Sequence, residues 1–209
     1  KSIRVEPRVT MEELMKATLP LGWMVPIVPE FKGITVGGAI VGCATESTAH
    51  RWGILNDVCL SFEVLCGDGQ VIHASPFENE ELFYALPGSY GSLGVLLSIE
   101  LKLVPAFDTI SLQYHLFSQA QEALEFLSQR VHAEDAPDFL DGIVFSERCC
   151  EVIQGEGRKS SSTPRFSVKQ LGEEWCSQHV RRRATEAKTV IFEESMTLKE
   201  YLFRYDRGA

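Results

Sequence analysis

Polar and apolar residues alternate through Ser2-Ile3-Arg4-Val5-Glu6-Pro7, the period-two pattern of a strand with one buried face. The period then lengthens. Leu14, Met15 and Thr18 fall on one face of a helix over residues 11–19, and Thr10 with Glu13 forms the capping box that starts it. Residues 24–30 carry Pro26 and Pro29, which suit an extended approach rather than a helix. A strand over 58–66, a tight turn at Gly67-Asp68-Gly69 and a returning strand over 70–74 read as a hairpin. Asn79 starts a short helix to residue 86, a glycine-rich loop covers 88–94, and a long strand runs from 95 to 104 before Pro105.

Beyond Pro105 the rhythm changes. Residues 109–117 alternate as a strand, and Ser118 is placed to cap a helix to about residue 132 with Ala123, Leu124, Leu127 and Val131 facing inward. Residues 139–145 and 149–154 read as a hairpin, 155–164 as a mobile polar loop, 173–188 as a helix, 190–192 as a short extended piece, and 197 onward as helix. This order predicts an antiparallel sheet with helices on one side. Of the 16 glycines, 11 precede residue 106, which divides a loop-rich first domain, 1–105, from a differently built second, 106–209. The chain starts directly in a strand pattern and stops within a helical one, so both ends read as internal to a longer polypeptide.

Composition narrows the function classes. Twenty basic against 29 acidic residues leave a formal charge of −9, which argues against general nucleic-acid binding. The run Arg181-Arg182-Arg183 reads as a solvated helix face. The six cysteines lack C-x-x-C spacing and have no histidine companions, so they read as reduced thiols without structural zinc. Cys59 and Cys66 are placed in strands. No apolar run reaches the ~18–20 residues that span a bilayer, and no signal peptide is visible.

The chemistry concentrates in residues 35–53. Gly37, Gly38 and Gly42 leave the backbone bare, and Ala44, Thr45, Ser47 and Thr48 follow before His50 and Arg51. Exposed main-chain N–H groups with hydroxyls beside them predict a concave surface for a phosphate-bearing cofactor; a plain turn and loop is the competing reading. The spacing is neither G-x-G-x-x-G nor G-x-x-x-x-G-K-[ST]. Glu46 suits a flavin-edge contact or a backbone N–H cap, His50 a cofactor contact or a loop-fixing hydrogen bond, and Cys43 a packed thiol. His179, Tyr201, Arg204 and Tyr205 read either as active-site liners or as buried residues of amphipathic helices.

The full order of elements resembles the second half of the FAD-binding domain of the vanillyl-alcohol-oxidase (PCMH-type) flavoprotein superfamily. Within it, the delta(24)-sterol reductase (Diminuto/seladin) branch is similar in Arg4-Val5-Glu6-Pro7, Gly22-Trp23, Val28-Pro29-Glu30, Thr35 to Gly38, Glu46-Ser47, His50, Leu82-Phe83-Tyr84-Ala85 and Gly94. The resemblance is strong over residues 3–105 and thinner beyond, where the phrase from Tyr201 to Gly208 departs from that branch. It implies an α+β fold: a second FAD-binding subdomain of the PCMH type with a mixed or antiparallel sheet and flanking helices, then a partial cap domain with an antiparallel sheet. The subdomain carrying the other pyrophosphate loop is missing from this chain, so this segment alone is expected to bind FAD poorly.

The resemblance also assigns contacts. FAD is expected against Thr35, Val36, Gly37, Gly38, Ala39, Ile40, Gly42, Cys43, Ala44, Thr45, Glu46, Ser47 and His50, with Gly94 and Val95 toward the adenine end. The implied activity is NADPH-driven reduction of a carbon–carbon double bond in a sterol-like substrate. The alternatives are an FAD-linked alcohol oxidase or dehydrogenase and a non-catalytic truncated remnant. A sterol substrate implies an intracellular protein meeting the endoplasmic-reticulum membrane through regions outside this chain, or otherwise a cytoplasmic one. No proton donor is assigned.

Overall fold

The computed structural model describes residues 1–159, 166–186 and 191–206. The chain divides into two compact units, Lys1–Ala106 and Phe107–Ala209. Both combine antiparallel sheets with flanking helices, an α+β architecture.

In the first unit the elements are β1 (Ser2–Val5), α1 (Met11–Thr18), β2 (Trp23–Met24), α2 (Val36–Val41) and α3 (Ala49–Trp52). They continue with β3 (Cys59–Leu65), β4 (Val71–Ala74), α4 (Glu80–Ala85), β5 (Val95–Lys102) and β6 (Val104–Pro105). The main sheet has the order β1-β5-β3-β4, while β2 and β6 form a separate small ladder. The first strand therefore pairs with the last long one, Ser2 opposite Lys102 and Val5 opposite Ile99. The expected capping box starts α1: the Glu13 N–H donates to Thr10 Oγ1 and the Thr10 N–H to Glu13 Oε2. That helix buries Met11, Leu14 and Met15, and the sheet contributes Phe62, Val64, Ile99 and Leu101 to the core. Asn79 does not cap α4 through its side chain: it adopts φ +50°, and its Nδ2 donates instead to the His73 carbonyl.

The second unit holds β7 (Thr109–Phe117), α5 (Ala120–Val131), β8 (Phe139–Ser146), β9 (Cys149–Arg158), α6 (Cys176–Glu186), β10 (Ile191–Thr197) and α7 (Leu198–Leu202), with sheet order β10-β7-β9-β8. One sheet face packs against α5 through Ala123, Leu140, Cys150 and Val152, with Phe126 and Leu127 alongside. Two expectations for α5 fail. Gln119 rather than Ser118 stands at its N-cap, without a side-chain bond, and Leu124 is 58% exposed. The apolar stripe is narrower than a count of leucines suggests.

The segment after residue 154 is not all loop. Strand β9 continues through Gly155–Gly157 to Arg158, because Thr109 to Leu112 of β7 remain in register beside it. The rest of that predicted loop, 160–165, lies outside the described residues, as do 187–190 and 207–209. Strand β10 is longer than the short extended piece expected, since it pairs with the whole of β7. The final predicted helix ends at Leu202. All six cysteines are free thiols; Cys59, Cys150 and Cys176 are buried, and burial pushes the Cys59 thiol up. Cys66 lies just past the end of β3.

Candidate functional site: a small-residue helix between two loops

The glycine run is not an open loop. Residues 36–41 close into α2, whose N-cap is Thr35 in extended conformation, with its hydroxyl accepting the Gly38 N–H at 3.2 Å. The first-turn N–H groups are committed to protein acceptors: Val36 to the Val9 carbonyl at 2.8 Å, Gly37 to the Pro7 carbonyl at 2.9 Å and Ala39 to the Thr35 carbonyl at 2.9 Å. The expectation of bare amides lining an anion hole is therefore corrected. The physical reason lies in Gly37, where an added Cβ would stand 2.6 Å from Pro7 Cβ. Glycine is needed there for close packing against the segment after β1.

The helix ends in a turn with unusual backbone. Cys43 adopts φ +54°, a left-handed conformation that is uncommon without glycine and gathers at functional sites. Its thiol lies 3.8 Å from Asn56 Nδ2, and a Cβ on Gly88 would stand 3.3 Å from the same sulfur. The sequence thus brings three separate stretches together: the turn after α2, the turn over Leu55–Val58, and the 88–94 loop, where Tyr90 also has positive φ at +49°. The Ala44 carbonyl accepts the Leu55 N–H at 3.0 Å, fixing the first two stretches to each other.

The remaining predicted residues divide between framework and surface. Val36, Gly37, Ala39 and Ile40 are buried, whereas Gly38, Gly42, Cys43 and Thr45 are exposed. Ser47 and Thr48 are buried, and Thr48 Oγ1 donates to the Pro26 carbonyl at 2.8 Å, tying this loop to the proline-rich approach. Glu46 accepts the Ser47 N–H at 3.1 Å, the capping role weighed for it. His50 and Arg51 lie on α3, half-buried and exposed respectively. Gly94, at φ +155°, packs against β3: an added Cβ would lie 2.8 Å from the Leu65 carbonyl oxygen. Val95, paired with Leu65, is 60% exposed.

Two polar atoms here have no protein partner. Asn56 Oδ1 and Ser89 Oγ are both buried without a hydrogen bond, on segments that flank Cys43. Buried polar groups in folded proteins are nearly always satisfied, so orphaned atoms beside an exposed small-residue helix end fit a polar ligand that supplies the missing bonds. The residues present fit a large cofactor as a low, side-chain-poor surface with polar groups at its edge.

The second unit carries a buried polar face that sequence reading missed in part. Opposite α5, Tyr114 donates to Glu194 Oε2 at 3.2 Å, and His179 Nε2 lies 2.9 Å from Glu194 Oε1. Arg204 pairs with Asp141 at 2.6 Å while only 3% exposed. Glu151 has both carboxylate oxygens buried and unpartnered; burial, reinforced by the Glu194 charge, pushes its pKa up to about 8. His179, Tyr201 and Arg204 are thus interior residues of this face. The available signal for Glu151 was a lone carboxylate inside the apolar strand phrase Cys149-Cys150-Glu151-Val152-Ile153. Among the described residues, no group of three or more His, Cys, Asp and Glu side chains is placed to hold a metal.

This geometry acquires a class from comparison with known proteins. Residues 1–75 match the family model described as FAD binding domain. More particularly, it is 29% identical over 209 residues to the Delta(24)-sterol reductase of Macaca fascicularis and 30% identical over 220 residues to that of Pisum sativum. Those alignments take in 99% and 98% of this chain but 40% and 38% of the relatives, so the chain spans about two-fifths of their length. A shorter likeness, 35% over 105 residues, links 49% of the chain to 23% of the decaprenylphosphoryl-beta-D-ribose oxidase of Mycolicibacterium smegmatis (strain ATCC 700084 / mc(2)155).

Proposed function

We propose that the full-length protein is an FAD-dependent oxidoreductase that reduces a carbon–carbon double bond of a sterol-like substrate with electrons from NADPH. The observation that carries this reading is the likeness to Delta(24)-sterol reductases, which extends through both units rather than stopping at the FAD-binding match. Thr35 to Ser47 and His50 are the residues assigned to FAD in the first unit, with Gly94 and Val95 beyond them. When bound, the flavin supplies hydride transfer.

The chain's own residues divide the remaining work. Gly38, Gly42, Cys43 and Thr45 offer a surface on which a planar ring system can lie without meeting large side chains. Saturating an alkene also requires a proton. In the second unit burial and the Glu194 charge push the pKa of Glu151 up to about 8, on the sheet face it shares with Tyr114 and Glu194, but no donor is assigned. A sterol substrate implies access to a lipid surface; among the described residues, no helix is long and apolar enough to cross a membrane.

The likeness to an oxidase favours a second reading, FAD-linked oxidation of an alcohol. Anaerobic addition of NADPH to the purified full-length flavoprotein separates the two. Loss of the oxidised-flavin absorbance is expected for the reductase. A spectrum unchanged by NADPH but bleached by an alcohol would replace it with the oxidase.

A further inference from the structure

The first unit contains a cavity of about 320 Å³ whose walls include Ile54, Asp57, Pro76, Phe83, Tyr84 and Pro87. Tyr84 meets the core residue Phe83 edge-on with ring centroids 5.1 Å apart, yet remains 62% exposed. Asp57 is the one charged side chain of the lining. Its carboxylate accepts the Ile54 N–H at 2.8 Å, and among the described residues no basic group pairs with it. An open aromatic ring beside an unpaired carboxylate is the environment that attracts an organic cation, a quaternary ammonium in particular.

The same rim presents a bare apolar tip. Phe77 is 98% exposed, and its neighbour Pro76 is a cavity wall. The turn that carries it is braced: the Ser75 N–H donates to the Glu78 carbonyl at 2.7 Å, the Glu78 N–H to the Ser75 carbonyl at 3.3 Å, and the Phe77 N–H to Ser75 Oγ at 3.3 Å. A ring held outward on a fixed turn suits the boundary between water and lipid, where aromatic side chains gather. Local charge selects the kind of lipid. Residues 52–101 carry seven aspartates and glutamates and no lysine or arginine. A field of that sign repels an anionic membrane and favours a headgroup that offers a cation on a neutral surface.

We propose that Phe77 and this cavity dock the first unit on a zwitterionic lipid surface, with Phe77 entering the headgroup layer and the choline of phosphatidylcholine seated between Tyr84 and Asp57. The choice of a lipid surface rests on the reading of the protein as acting on a sterol-like substrate. A trimethylammonium group has no N–H to donate, so its recognition depends on a ring face and an opposed charge, and the cavity offers both.

The test places the full-length protein, without NADPH or sterol, on phosphatidylcholine vesicles doped with phosphatidylcholine that carries a photoactivatable group on its acyl chain next to the glycerol. Adducts mapped by mass spectrometry are expected within residues 54–87. Tyr84→Ser and Asp57→Asn should each lower that yield about 3- to 10-fold, the range of one cation–π contact. Phe77→Ser should lower it about 10-fold through lost apolar burial. Phe77 and Tyr84 are exposed, and Asp57→Asn keeps an acceptor for the Ile54 N–H, so the three variants fold. Phosphatidylglycerol vesicles with the corresponding probe should label this segment weakly. Adducts confined to other segments, yields unchanged in all three variants, or stronger labelling from phosphatidylglycerol would overturn the site. Adducts on 54–87 in a protein whose flavin NADPH does not reduce would support the site and overturn the reductase reading; flavin reduction without those adducts would do the reverse.

Discussion

Gly37→Val is expected to strip the first unit of a large fraction of its stability. The Gly37 N–H donates to the Pro7 carbonyl at 2.9 Å, so the two residues cannot separate without losing that bond. They cannot stay together either, since the new Cβ would meet Pro7 Cβ at 2.6 Å and the Pro7 oxygen at 3.1 Å. Pro7 is itself held, because β1 is in register with β5 and the Val36 N–H bonds the Val9 carbonyl. Overpacking costs about 1–3 kcal/mol for modest insertions and the lost hydrogen bond about 1 more. Against a total stability of about 5–15 kcal/mol, the sum is a large fraction. Urea unfolding of the full-length variant should show this unit's transition lost or displaced to low denaturant. A native transition would mean the backbone around Pro7 yields more readily than these contacts imply.

Gly38→Val, one residue on, is expected to behave differently. Gly38 is exposed, and its added Cβ would meet only Thr35 Oγ1, at 2.9 Å. The cap weakens by about 1 kcal/mol and the fold survives. A branched side chain would then stand on the surface assigned to the flavin, so the variant should purify folded but colourless. Normal flavin content would displace the cofactor from that side of α2.

The second large effect is a dependence on pH. Glu151 has a folded-state pKa of about 8, raised by burial and by the Glu194 charge, against an ordinary value of 4.5. Between those values the folded state keeps a proton that the unfolded chain releases. Stability therefore falls as pH rises from about 4.5 to 8 and is flat, in this contribution, above that. The full swing is on the order of 4–5 kcal/mol at most, taking ~1.4 kcal/mol per pKa step. Glu151→Gln carries no titrating proton and should flatten the slope, so wild type and variant diverge increasingly from pH 5 to about pH 8 and run parallel above it. The surrounding groups, Glu194, Tyr114, His179, Asp141 and Arg204, remain in both proteins. Parallel denaturation midpoints across that range would show that Glu151 is not the group responsible.

Much of the fold was legible because it follows from local pattern. The Thr10–Glu13 capping box, the β3–β4 hairpin and the nine-residue strand β7 all rest on residues close in sequence. Failures came where partners distant in the chain decide. Strand β10 extends to seven residues because β7 is there to receive it, and β9 runs through two glycines, Gly155 and Gly157, that read as loop. Leu124 faces outward because the stripe of α5 packed against the sheet is narrower than its leucine content.

At the candidate site, the segment was legible but its physics was not. Three glycines suggested free amides, yet Gly37 answers to Pro7, thirty positions earlier, and no local pattern reveals that contact. Asn56 and Ser89 look like ordinary loop residues in sequence. Their unpartnered atoms appear only once three separate segments meet around Cys43.

The placement of β1 at the sheet edge beside β5 has a consequence for biosynthesis. Residues 2–5 are synthesised before the strand they pair with, residues 99–102, which follows about a hundred residues later. At ~5–20 residues per second, β1 waits on the order of 5–20 s with its ladder groups open. Until then Phe62, Val64 and the rest of the β3–β4 hairpin lack the neighbour that covers them. A nascent chain stalled short of residue 99 is a species for chaperones, because β5, the strand that joins β1 to β3, is the last of this sheet to be made.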